Sequence, residues 1–144
     1  MAEQDTQRAH YCYFSSVTTR WMDNDIYGHV NNVTYYSYFD SVANQYLIEK
    51  GGLDIHRAET VGFVVASQCQ YLAPITYPDV IDVGFRVNRL GRSSVEYGMA
   101  IFLKEQETAV AHGTFTHVFV NRASGESSPM PVSIRAALQL ALAS

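Results

Sequence analysis

Residues 33–50 read VTYYSYFDSVANQYLIEK. Apolar side chains recur there at helical spacing: Val33, Tyr36, Phe39, Ala43, Tyr46 and Leu47 fall on one stripe. Asn31 or Asn32 can cap the start, and Gly51 with Gly52 can end the helix in a left-handed turn. The spacing therefore predicts a helix over 33–50, about 27 Å long at 1.5 Å per residue. Outside that stretch the apolar period falls to two. Tyr13, Val17 and Trp21 share a side with Ser and Thr between them over residues 11–21, and residues 61–73, opening on the apolar run 61–66, read as a strand closed by Pro74. Residues 80–90 put Ile81, Val83, Phe85 and Val87 on one face and Asp82, Gly84, Arg86 and Asn88 on the other. Residues 94–104 repeat the pattern with Val95, Tyr97, Met99, Ile101 and Leu103, and residues 108–121 read as a fifth strand. Pro129 and Pro131 open a last short helix whose stripe is Ile134, Ala137, Leu138, Ala141 and Leu142.

Strands joined by tight turns such as Gly91-Arg92-Ser93 pair antiparallel, and one long helix must bury its stripe against their sheet. The predicted class is α+β: a long antiparallel five-stranded sheet wrapped around one long helix, with a short C-terminal helix. Residues 1–10 read as a loose, polar tail and residues 11–144 as a single domain. Val110, Val118 and Val120 would leave the second sheet face apolar, which predicts self-association.

Composition narrows the function. The 144 residues carry 10 basic and 14 acidic side chains, a net charge of −4, so the basic field that duplex nucleic acid requires is lacking. No apolar run approaches the roughly 18 residues of a membrane span, and the polar N-terminus does not resemble a signal peptide. A cytoplasmic protein is expected, with Cys12 and Cys69 as reduced, buried thiols and the Asn32-Val33-Thr34 sequon unused. His112 and His117 stand five apart in a strand and point to opposite faces, so no shared metal is expected. GxSxG, Walker A and GxGxxG patterns do not occur in the sequence.

The chemistry concentrates in one loop. Asp23, Asp25, His29, Asn31 and Asn32 crowd the ten residues ahead of the long helix. A polar capping loop would account for them. So would a reaction site, because a helix N-terminus offers unpaired N–H groups and partial positive charge to a developing oxyanion. A thioester suits such a site: its thiol leaving group, with a pKa near 8.5, departs with little acid assistance.

The run Arg20-Trp-Met-Asp23-Asn-Asp25-Ile-Tyr-Gly28-His29-Val-Asn31-Asn32-Val-Thr-Tyr35 resembles the signature of the hotdog-fold acyl-CoA thioesterases of the 4-hydroxybenzoyl-CoA thioesterase type. The resemblance extends over almost the whole chain, including the turn at Arg89–Ser94 and the Pro-led terminal helix. It implies Asp25 as the catalytic carboxylate, acting as nucleophile or as general base, and the backbone N–H near Asn32 as oxyanion donor. Asp23 takes a structural role, and His29 either assists as a base or orients the substrate. Tyr35, Tyr36 and Phe39 are candidates for the acyl pocket. Arg89 and Arg92 are candidates for the phosphates of coenzyme A. The expected partners are an acyl-CoA substrate and further copies of the chain, as dimer or tetramer, with no cofactor beyond the coenzyme A of the substrate. Two other readings stand beside hydrolysis: an enoyl-thioester hydratase, disfavoured by the spacing of Asp25 and His29, and a non-catalytic acyl-CoA binding domain.

Overall fold

The computed structural model describes residues 3–143. A short helix α1 (Glu3–Thr6) precedes strand β1 (Tyr13–Thr18), the long helix α2 (Thr34–Glu49), strands β2 (Thr60–Tyr71), β3 (Val80–Leu90), β4 (Ser94–Leu103) and β5 (Ala111–Asn121), and helix α3 (Val132–Leu140). The strands make one antiparallel sheet in the order β1-β3-β4-β5-β2. This is the expected hotdog arrangement, with α2 packed on one face of the sheet. Strand bounds agree with the alternation to within a few residues, and for β3 they coincide with it.

The buried face of α2 is broader than the predicted stripe. Tyr35, Tyr38, Phe39, Val42, Ala43, Tyr46 and Leu47 are enclosed, whereas Val33 lies ahead of the helix and is 68% exposed. Aromatic residues stand at four of the positions 35–39, so spacing alone does not say which face turns inward. The start carries no side-chain N-cap from Val33. Instead Val33 N–H donates to Asn31 Oδ1 at 2.9 Å, an Asx turn that starts two residues ahead of the cap position. At the other end Gly52 takes a φ of +70°, and Leu53 N–H returns to the Leu47 carbonyl at 3.1 Å.

The core between helix and sheet is filled by flat side chains. Tyr46 stacks on Phe85 with ring centroids 4.5 Å apart, and Tyr46 Oη donates to the Ala137 carbonyl of α3 at 2.6 Å. Phe85, Tyr97, Met99, Phe115 and Phe119 complete it. Ile134, Ala137, Leu138 and Ala141 of the terminal stripe are buried, but Leu142 is exposed because α3 ends at Leu140. Val110 also turns into this core, so only Val118 and Val120 of the expected outer trio stay on the second face. Packing is closest where β2 crosses β5: a Cβ at Gly113 would overlap the Gln68 carbonyl of the neighbouring strand. Gly113→Ala is expected to lower the stability measured by urea unfolding by about 2 kcal/mol, the usual scale of forced overpacking.

Residues 3–10 do not form the loose tail expected from their composition. Arg8 pairs with Asp82 (3.0 Å) and Asp5 with Arg86 (2.7 Å), while Tyr11 and Phe14 cover Ala100 and Phe102. The charges on the outer face of β3 are buried, and a buried charge requires a partner, which the N-terminal segment supplies. Cys12 is exposed and Cys69 partly so, both free, in place of the buried thiols expected. His117 points into the core and His112 to the outer face beneath α1, as their spacing requires. Among the described residues no helix is long and apolar enough to cross a membrane. Strand β2 forms one edge of the sheet and exposes Phe63 (63%) and Val65 (55%).

Candidate active site

Asp23 anchors the loop between β1 and α2. Its carboxylate accepts hydrogen bonds from Arg20 N–H (2.9 Å), the Arg20 guanidinium (2.9 Å) and Tyr38 Oη (2.8 Å). Burial alone would raise the pKa of this acid; the three donors outweigh burial and hold it below the usual carboxylate value. Tyr38, buried and donating to that anion, is shifted upward in turn. Asp23 thus joins the end of β1 to the first turns of α2 and is committed to structure.

Asp25 is placed differently. Residues 25–29 close a tight turn: Asp25 N–H donates to the His29 carbonyl (2.9 Å) and Gly28 N–H to the Asp25 carbonyl (3.0 Å). The turn needs the positive φ of Gly28 (+83°). One carboxylate oxygen accepts Tyr27 N–H at 2.9 Å, and Asp25 forms no ion pair among the described residues. The turn is fixed to the segment after β2 by Val30 N–H on the Ile75 carbonyl (2.7 Å) and by Tyr77 N–H on Asn24 Oδ1 (3.1 Å).

Two clefts flank this turn. Asp25 lines one of about 510 Å³ with Trp21, Met22, Asn24, Ile26 and Gly28. His29 and Asn32 line the other, of about 330 Å³, with Val30, Tyr35, Tyr71 and the run Leu72–Pro74. Asp25 and His29 are linked through the backbone of the turn, and no hydrogen bond joins their side chains among the described residues. Asn32 N–H meets no acceptor among the described residues, while the N–H groups of Val33, Thr34 and Tyr35 all find one. Among the described residues a free donor therefore stands at the positive end of α2, beside the turn whose Asp25 carboxylate is bonded by Tyr27 N–H and forms no ion pair.

The other residues singled out by sequence divide. Tyr35 lines the smaller cleft, its ring edge-on to Tyr71 at 4.9 Å. Phe39 is fully enclosed in the helix–sheet core and lines neither cleft. Tyr36 packs edge-on against Phe39 and also lines neither. Arg89 and Arg92 lie at the far end of the sheet. Val80 opens β3 beside Thr18 at the loop end, and the 11 residues of β3 carry the chain about 33 Å to its far end, where Arg89 lies in the last residues of the strand and Arg92 in the turn that follows. Arg89 pairs with Glu96 (3.3 Å), and Arg92 is exposed. One chain therefore does not bring these arginines to Asp25. Two residues escaped the sequence reading. Arg135 holds the turn from α3 by donating to the Gly91 and Arg92 carbonyls. Tyr71 reaches Asn32 from the end of β2, and no local pattern links two positions 39 residues apart.

Residues 17–138 match the model of the thioesterase-like superfamily. The chain belongs to that family. The structure of the PA5185 protein from Pseudomonas aeruginosa PAO1 is 52% identical to this thioesterase-like chain, covers 96% of each chain and superposes with a TM-score of 0.94. The PA2801 protein, a thioesterase candidate from the same species, is 35% identical over 87% of this chain and 96% of its own, with a TM-score of 0.79. YsmA of Bacillus subtilis is 28% identical over 85 residues, a match that spans 59% of this chain and 57% of YsmA.

Proposed function

We propose that this thioesterase-like protein hydrolyses acyl-CoA thioesters to a carboxylate and free coenzyme A. The observation that supports this most is the Asn32 N–H at the start of α2, unpaired among the described residues, next to a turn whose Asp25 carboxylate accepts one backbone donor, Tyr27 N–H, among them. The thioester carbonyl accepts from Asn32 N–H, and negative charge grows on its oxygen as the carbon becomes tetrahedral. Asp25 either attacks that carbon, forming a mixed anhydride that water then cleaves, or takes a proton from the attacking water. Both routes consume one water and release the acid and the thiol. His29, on the smaller cleft, orients the substrate or assists proton transfer. Tyr35 contributes the wall against which the acyl group rests, a role that Phe39 and Tyr36, held in or against the core, leave to it.

Arg89 and Arg92, the candidate cations for the coenzyme A phosphates, lie a strand length from Asp25 within one chain, and the edge strand supplies a route. Strand β2 runs from the arginine end, where Thr60 faces Asn121 and Ser94 faces Val118, to the Asp25 end, where Tyr71 faces Ala111. Pairing two copies antiparallel along β2 would cover Phe63 and Val65 and set the Arg89–Arg92 end of one chain beside the Asp25 end of the other. The functional unit proposed is therefore a homodimer with two composite sites.

A free-thiol assay with aromatic, short-chain and long-chain acyl-CoAs tests the proposal. Thiol release with at least one class, together with a dimer in sedimentation, is the expected result. Binding of acyl-CoA without thiol release would make the protein a carrier and overturn hydrolysis. Loss of absorbance from crotonyl-CoA without thiol release would assign hydration instead.

A further inference from the structure

We infer that Tyr71 is a positioning residue of this site: its hydroxyl holds the Asn32 carbonyl so that Asn32 N–H stays unpaired in the cleft that both residues line. The inference rests on the hydrolytic reading above and adds a residue from a different strand to it. Asn32 is held on both sides. On one side, the Asn31 carbonyl accepts Thr34 N–H at 2.9 Å, fixing the peptide that carries Asn32 N–H. On the other, Tyr71 Oη donates to the Asn32 carbonyl at 3.0 Å, while the helical Tyr35 N–H reaches that carbonyl only at 3.4 Å. The carbonyl's shorter hydrogen bond is thus with the tyrosine. Without it, the Asn32–Val33 peptide keeps only the Val33 N–H bond to Asn31 Oδ1 and the longer bond from Tyr35 N–H, so its carbonyl is held less closely and the neighbouring donor can shift with it.

Tyr71 is itself well fixed. It ends β2, pairs with Ala111 of β5, and packs T-shaped against the Tyr35 ring. Burial and the nearby Cys69 and Tyr36 raise the pKa of its phenol, so it remains a donor at neutral pH. The contact joins the edge strand to the reacting end of the helix. Position matters greatly for such a donor, since an error of about 1 Å can lower a rate by a factor of order 100.

Tyr13 provides the comparison. It too crosses from sheet to α2, donating from β1 to Glu49 at 3.1 Å, but at the opposite end of the helix. Tyr71→Phe is expected to lower kcat about 10- to 100-fold with KM within about twofold of wild type. Tyr13→Phe should leave both constants unchanged. In amide NMR spectra of the full chain without substrate, Tyr71→Phe should move the Asn32 and Val33 signals and Tyr13→Phe should not. A Tyr71→Phe protein that keeps its kcat, or whose Asn32 and Val33 amides stay in place, overturns the inference. If wild-type protein releases no thiol from any acyl-CoA, the hydrolytic reading fails separately, and the amide signals still decide whether Tyr71 holds this peptide.

Discussion

Asp25→Asn is expected to lose between about 10² and 10⁴ of the thioester turnover, the range that one positioned acid–base group supplies, while the thermal midpoint moves by no more than a few degrees. The substitution removes the charge and keeps the shape. Asn retains an Oδ1 that can accept Tyr27 N–H, so the turn of residues 25–29 has no reason to open. Asp23→Asn is the informative contrast. That side chain bonds Arg20 and Tyr38 beneath the loop, and its neutralisation should reduce stability more than it alters chemistry at the cleft. Turnover by Asp25→Asn near that of wild type would refute the assignment of the carboxylate. Label found in Asp25 after single-turnover hydrolysis in oxygen-18 water would then establish the nucleophilic role, because it enters only when water attacks the aspartyl carbon of a mixed anhydride.

Acid should weaken the fold well before the carboxylates titrate. His117 is 1% exposed, with Nδ1 2.9 Å from Tyr97 Oη in the core. Burial pushes its pKa down to about 4, against about 6.5 in an unfolded chain. Between those values the unfolded state binds the extra proton, so stability rises with pH across the window and is level above it. The full difference is about 3 kcal/mol, present above roughly pH 6.5 and lost as pH falls to about 4. His112, under α1, is also shifted down by burial, with a smaller opposing effect from Asp5, and acts in the same direction. Urea unfolding of wild type and of His117→Gln at pH 4.5 and 7.5 measures the effect. Equal pH dependence in the two proteins would show that His117 is not its source.

Much of this molecule was readable from local pattern. The alternation of Ile81, Val83, Phe85 and Val87 located β3 to the residue, because side chains along a strand change face every residue, even though the N-terminal segment buries the polar face as well. The Asp–Asn–Gly crowding ahead of an aromatic helix located the loop, since turn chemistry and a helix start are both short-range. The same locality explains the failures. Phe39 stood in the predicted stripe, but whether a helical aromatic lines a cleft or fills a core depends on what packs against it. The tail looked loose because its partners, Asp82 and Arg86, are more than seventy residues away.

Sequence alone determined the kinds of element and their order from β1 onward, because the governing forces act within a few residues, while the choice of Asp25 rather than Asp23 as the candidate carboxylate came from the family resemblance. Tertiary structure alone decided which ends meet. Strand order and register put Arg89 and Arg92 a full strand length from Asp25, brought Tyr71 onto Asn32, and left β2 as an open edge. Those distances follow from how an antiparallel sheet closes over one helix, a constraint shared by the whole chain and written in no single stretch of it.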